Sequence, residues 1–159
     1  MAMYLSTKTY GNDRGLSCCF RQWHATHSHC SKLHGYAIGI KLVFSSTTLD
    51  ERNWVMDFGG LKEFKNWSEY MFDHTLIVAN DDPALSKFTE LQNVGLANLR
   101  IVDAVGCEKF AEMAYYKMVE LIDQYKKLDY HTINRNVRVV SVEISEHLGN
   151  SAIFAGDHE

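Results

Sequence analysis

Apolar and polar positions alternate with a period of two from Leu16, so LSCCFRQWH (Leu16 to His24) predicts a strand with Leu16, Cys18, Phe20 and His24 on one face. A polar loop, ATHSHCSKL, follows. HGYAIGIKLVF then predicts a second strand, with His34, Tyr36, Ile38, Ile40, Leu42 and Phe44 on one face. His34 and Tyr36 therefore continue a row of aliphatic side chains. SSTTLDERN closes this strand as a turn. Asp57 suits a helix N-cap, and Leu61, Phe64, Ser68 and Met71 keep helical spacing up to FDHT. TLIV is a short apolar strand, and Asp81 to Pro83 a turn or helix start. A less regular stretch runs to Arg100, then a short apolar segment from Ile101 to Val105. A long helix is predicted from Glu108 to Lys127, with Phe110, Ala111, Ala114, Met118, Leu121, Ile122 and Tyr125 as its apolar stripe. KKLDYHTINRN is a connection. The last strand, VRVVSVEISE, places Val140, Val142, Ile144 and Glu146 on one face.

Two strands, a helix, a short strand, a helix and a strand make an α+β plan, with helices on one face of a small, mostly antiparallel sheet. The length of 159 residues suits one domain, 1–159, with a buried core. Exposed edges of so small a sheet favour oligomerisation that pairs them. Net charge is −4, so no basic field points to nucleic acid. The apolar runs are far below the roughly 20 residues that cross a bilayer, which argues against a membrane partner. MAMYLSTKTYGND has no apolar signal region, so a cytoplasmic location is expected, with the four cysteines reduced.

Histidine changes the picture. His24, His27, His29 and His34 fall within eleven residues together with Cys30. Zinc takes imidazole nitrogens, and a catalytic site keeps three protein ligands and an open position. Paired strands would bring His24 and His34 to one end of the sheet, with His27 or His29 to complete a site. The alternative is a set of surface loop histidines. Cys30 beside a cation could act as base or nucleophile, or else serve as a fourth ligand or an inert thiol. In Asp73-His74 the imidazole can shuttle a proton with the aspartate holding its tautomer, or the pair caps a helix end. Glu146 ends an aliphatic strand face, where a carboxylate needs a partner, such as the amidine edge of a guanine-like ring. A frayed strand end with Glu146 in solvent is the other reading. Glu108 suits the helix dipole.

FRQWH (Phe20 to His24), CSKLHGY (Cys30 to Tyr36), VMDFGGLK (Val55 to Lys62), FDHT (Phe72 to Thr75), CEKFAE (Cys107 to Glu112) and EHLGNSAIF (Glu146 to Phe154) stand in one order. Together they resemble the 6-pyruvoyl-tetrahydropterin synthase and 6-carboxytetrahydropterin synthase family, collinearly from about Leu16 to Phe154. The resemblance implies the tunnelling fold, a small antiparallel sheet with two helices packed on one face. Its subunits form an oligomeric barrel, trimers pairing into hexamers with sites at subunit interfaces. It implies Zn2+ as cofactor and a small-molecule pterin, 7,8-dihydroneopterin triphosphate, as substrate. Cys30 would be the proton-abstracting thiol, Asp73 and His74 its relay, and Glu146 the anchor of the pterin ring, with Cys107 and Glu108 beside it as substrate-binding residues. His24 and His34 match the first two zinc histidines. The third falls at Tyr36, a neutral phenol, so His29 is the expected third metal ligand, with His27 or a Tyr36 phenolate as alternatives. The loop from His24 to Cys30 is shorter than the family's. Gly106-Cys107, Glu146-His147 and Phe154 replace the family's Pro-Thr, Glu-Thr and closing tyrosine.

The expected activity is that of a zinc-dependent lyase, 6-carboxy-5,6,7,8-tetrahydropterin synthase, releasing triphosphate and acetaldehyde on the way to queuosine-type 7-deazaguanines. The alternatives are 6-pyruvoyl-tetrahydropterin formation, a catalytically silent pterin-binding protein that has lost zinc, and a structural zinc module.

Overall fold

The computed structural model describes residues 2–128 and 133–157. The connection predicted over KKLDYHTINRN lies partly outside them. The strands are β1 (Tyr4–Tyr10), β2 (Leu16–Phe20), β3 (His34–Ser46), β4 (Thr75–Ala79), β5 (Leu99–Val102), β6 (Arg138–His147) and β7 (Asn150–Ala155). The helices are α1 (Lys62–Phe72), α2 (Leu85–Asn93) and α3 (Cys107–Lys127). The strands form one sheet in the order β5-β4-β2-β3-β6-β7, with β1 also paired to β3. β1 and β2 lie end to end along the same edge of the long β3, since Tyr10 pairs with Ile40 and Leu16 with Ile38. The β2–β3 pair is antiparallel as expected; β3–β6 and β6–β7 are antiparallel too, whereas β4 runs parallel to both β2 and β5.

The β3 face foreseen by alternation is the floor of the core: Ile38, Ile40, Leu42 and Phe44 are all buried. All seven positions of the α3 stripe are buried against the sheet, beside Leu61, Phe64 and Phe72 from the α1 segment. Full burial of a Leu, Phe or Met contributes roughly 1.5–3 kcal/mol each, so this layer dominates the folding energy.

Four departures from the predicted pattern have physical causes. β2 stops at Phe20 instead of His24, because the next two side chains are drawn to other loops: Arg21 to Asp82 and Gln22 to the Val105 carbonyl. In β6 an extra residue stands between Val139, opposite Phe44, and Ser141, opposite Val43. This bulge turns Val139 inward in place of Val140, while Val142 and Ile144 keep their predicted face. The stretch before Arg100 holds α2, whose Phe88 packs with Leu76, Val78 and Leu99. Those β4 residues alternate with Ile77 and Ala79 of the main core, so α2 covers the opposite face of the sheet from α1 and α3. β4 is therefore buried on both sides, and every one of its residues is inaccessible. Finally, β1 and β7 are half-exposed strands whose inward positions include Ser6 and Lys8, too polar for alternation to register.

No helix among the described residues is long and apolar enough to cross a membrane.

Candidate active site

The end of the sheet where Phe20 pairs with His34 carries most of the candidate residues. Tyr36 stacks on Phe20 with ring centroids 4.2 Å apart and planes at 13°. Phe20 in turn meets Phe110 of α3 edge to face at 5.0 Å. The His34 ring lies 4.5 Å from Tyr36 on the other side. Tyr36 is thus fixed by packing from the core upward. Burial raises its phenol pKa, and the charges of Glu146, Cys30 and Cys107 raise it further. Groups from β6, the β2–β3 loop and α3 therefore converge on this ring.

Glu146 is half-buried near the end of β6. The Cys107 thiol donates to Glu146 Oε1 across 3.8 Å. Burial, followed by the charges of Glu146 and Glu108, pushes the Cys107 pKa up to about 12, so the thiol keeps its proton at neutral pH. Cys107 opens α3 immediately after Gly106, whose φ of 119° belongs to glycine. A Cβ there would also lie 2.4 Å from Gln22 Nε2. Glu108 stands in the first turn of α3.

Asp73 and His74 form a pair, with Nδ1 of His74 2.9 Å from Asp73 Oδ1. Asp73 Oδ1 also accepts from the Ser17 N–H at 3.3 Å. The Asp73 backbone N–H caps α1 on the Glu69 carbonyl at 2.9 Å, and its side chain holds the imidazole. His74 has φ +54°, a left-handed conformation that costs of order 1–3 kcal/mol at a non-glycine residue. It is held there by the N–H bond to the Ser17 carbonyl at 2.6 Å and the Asn98 amide on its own carbonyl at 3.2 Å. The ring remains open to solvent, with 82% of its side chain exposed. Among the described residues, no hydrogen bond or ion pair joins this pair to Cys30.

The histidine loop is arranged otherwise than the sequence suggests. His24 lies on the Trp23 ring, centroids 3.5 Å apart, with Nε2 3.6 Å from Asp81 Oδ2. The Trp23 indole donates to the other oxygen of Asp81 at 3.2 Å. His29 opens a 3-10 turn, His29–Ser31, in which the Cys30 N–H donates to Ser28 Oγ. His34 Nδ1 donates to the Lys32 carbonyl at 2.9 Å, which leaves Nε2 as its unprotonated nitrogen when neutral. Among the described residues no three His, Cys, Asp or Glu side chains are grouped to hold an ion. His24, His29 and His34 are not grouped: His24 lies beside Asp81, His34 on the Lys32 carbonyl, and His29 opens the 3-10 turn. This donor set does not fit the three-ligand ion site that the resemblance implies.

Two neighbours of the Cys30 loop were not visible in the sequence. Arg21 binds both oxygens of Asp82, at 2.9 and 2.6 Å, and reaches the Ser31 carbonyl at 3.3 Å. Asp82 is almost wholly buried, and the Arg21 guanidinium holds its carboxyl below the usual carboxylate range. Gln22 joins the Cys30 loop to the start of α3. Residues 60 or more positions apart meet here, and only the exposed-strand position of a lone arginine hinted at a distant acid.

The model of the family described as 6-pyruvoyl tetrahydropterin synthase matches residues 12–157. A protein of Archaeoglobus fulgidus described as a putative 6-carboxy-5,6,7,8-tetrahydropterin synthase is 33% identical over 107 residues, 62% of this chain and 92% of that protein. A 6-carboxy-5,6,7,8-tetrahydropterin synthase of Rickettsia typhi is 34% identical over 62 residues, 38% of this chain and 45% of that protein. In fold, a crystal structure from Wolinella succinogenes matches with TM-score 0.73 at 20% identity, covering 99% of this chain and all of the other. The 6-pyruvoyltetrahydropterin synthase of Plasmodium vivax matches with TM-score 0.69 at 16% identity over 99% of this chain and all of the other.

Proposed function

Since the chain belongs to the 6-pyruvoyl tetrahydropterin synthase family, we propose that it is a 6-carboxy-5,6,7,8-tetrahydropterin synthase acting on 7,8-dihydroneopterin triphosphate. The observation that carries this reading is the meeting of Glu146 with a protonated Cys107, both close enough to Tyr36 to act on its phenol. Glu146 accepts from the amino and ring N–H groups of the pterin, and the Cys107 thiol orients the carboxylate. The names of the two relatives above favour the carboxy product.

The Cys30 thiolate takes a proton from the substrate side chain next to the ring. Asp73 fixes the His74 tautomer through Nδ1, so that Nε2 takes up and returns protons. Triphosphate leaves with the electrons of its carbon–oxygen bond. Water enters as the side-chain carbon–carbon bond breaks, and acetaldehyde departs. The chain acts as a homo-oligomer in this reading: edge strands β5 and β7 expose Ile101 and Ile153, apolar surface that a neighbouring copy would cover.

A second reading is a catalytically silent pterin binder, favoured by Tyr36, which stands where the resemblance places the third zinc histidine. Product analysis by mass after incubation with dihydroneopterin triphosphate decides between them, with zinc content measured on the same preparation. Carboxytetrahydropterin with acetaldehyde supports the synthase, and pyruvoyl-tetrahydropterin moves the chain to the sister activity. Pterin binding without turnover supports the silent binder, and neither binding nor turnover refutes the pterin reading. Cys30→Ala is expected to lower turnover about 10²–10⁴-fold while pterin affinity persists, and retained turnover would remove Cys30 as the base.

A further inference from the structure

The thiol assigned to proton abstraction and the carboxylate assigned to the pterin stand on different parts of the fold. Cys30 sits in the loop 21–33 between β2 and β3, and Glu146 reaches α3 through Cys107. One residue connects the two. The Gln22 N–H donates to the Cys30 carbonyl at 2.7 Å, closing the loop on itself. The Gln22 side-chain amide donates to the Val105 carbonyl, also at 2.7 Å, two residues before Cys107. A carbonyl only accepts, so the nitrogen end of that amide must face it. Gly106 leaves the room: a Cβ at that position would collide with Gln22 Nε2. Arg21, the preceding residue, braces the same limb from the other side through the Ser31 carbonyl and Asp82.

We infer that Gln22 is a positioning residue that holds the Cys30 loop in register with the pterin grip at the start of α3. The inference rests on the reading of Cys30 and Glu146 above. A shorter amide cannot span the same gap, and a glutamate would set an acceptor against the Val105 carbonyl. Loss of the bond frees the thiol to drift relative to the ring while leaving Glu146 and Cys107 in place. A displacement near 1 Å is enough to cost about a hundredfold in a proton transfer.

The test compares Gln22→Ala, Gln22→Glu and Gln22→Asn with Cys30→Ala. In the Gln22 variants kcat is expected to fall at least about tenfold, with affinity for neopterin, read by fluorescence titration, kept within about threefold. Alkylation of Cys30 by iodoacetamide, mapped by mass, is expected to run several-fold faster, and this readout needs no turnover. Gly106→Ala should lower kcat less in the Gln22→Ala background than alone, because the colliding amide is gone. Unchanged alkylation and kcat would overturn the inference. So would equal losses of kcat and neopterin affinity, which would mean general loosening. If Cys30→Ala keeps its turnover, or the chain turns over no pterin, the functional reading falls instead, and the alkylation rate alone decides whether Gln22 holds the loop.

Discussion

Around Tyr36, Glu146 and Cys107 stand on a strand and a helix whose apolar faces are sealed in the core, whereas Cys30 stands on an exposed loop tied down by Arg21 and Gln22. On the first side position follows from packing: Phe20, Phe72 and Phe110 interlock beneath the site, and moving the carboxylate means moving α3 against the sheet. On the second side position follows from a few hydrogen bonds to backbone carbonyls. Recognition of a flat ring needs a rigid wall, and proton transfer needs a group that can approach it. In the proposed function the two tasks fall to elements of matching stiffness.

That contrast can be broken from either side. Phe110→Ala should remove the wall, lowering stability by about 3–5 kcal/mol in denaturant unfolding. A cost below about 1 kcal/mol would show that α3 is held by something other than this packing. Asp82→Asn should loosen the loop side, costing about 3 kcal/mol because it leaves Arg21 half-buried without its charge partner. The Asp82 carboxyl is held below its ordinary 3.8 in the folded chain, first by the hydrogen bond from Arg21. Its contribution is therefore complete above that value and is lost as pH falls through the folded pKa. The acid limb of the stability–pH curve should flatten in Asp82→Asn, and an unchanged limb would count against the pair. Glu146→Gln should spare stability but weaken pterin binding by about 2 kcal/mol, read by titration; equal affinity would mean that the ring is gripped elsewhere. His24→Ala should be nearly silent, within about 0.5 kcal/mol in stability, since the side chain is exposed and its ion pair with Asp81 is long. A strong loss of metal or pterin binding in that variant would return His24 to the site.

Periodicity made the core legible. β3 and α3 bury a regular repeat of side chains, and a repeat can be read without knowing what lies opposite. The Asp73–His74 pair was legible because its two members are adjacent in the chain. α2 was not, since a two-turn helix with one buried aromatic, Phe88, leaves little repeat to see. The histidine cluster was visible for its density alone, and proximity along the chain does not say where each side chain turns. His24 turns to Asp81 and His34 to the Lys32 carbonyl, partners that a count of histidines does not reveal.

What the amino-acid order determined by itself is the family, the buried faces of β3 and α3 and the residue types available for chemistry, because each depends on local spacing or on motifs in a fixed order. Which of those residues meet was decided only by the folded chain. The parallel strands beside β2, the second face of β4 covered by α2, the Glu146–Cys107 contact and the Gln22 tie all join segments far apart in sequence. Such contacts are selected by the geometry of the whole packed sheet, which no single stretch of residues encodes.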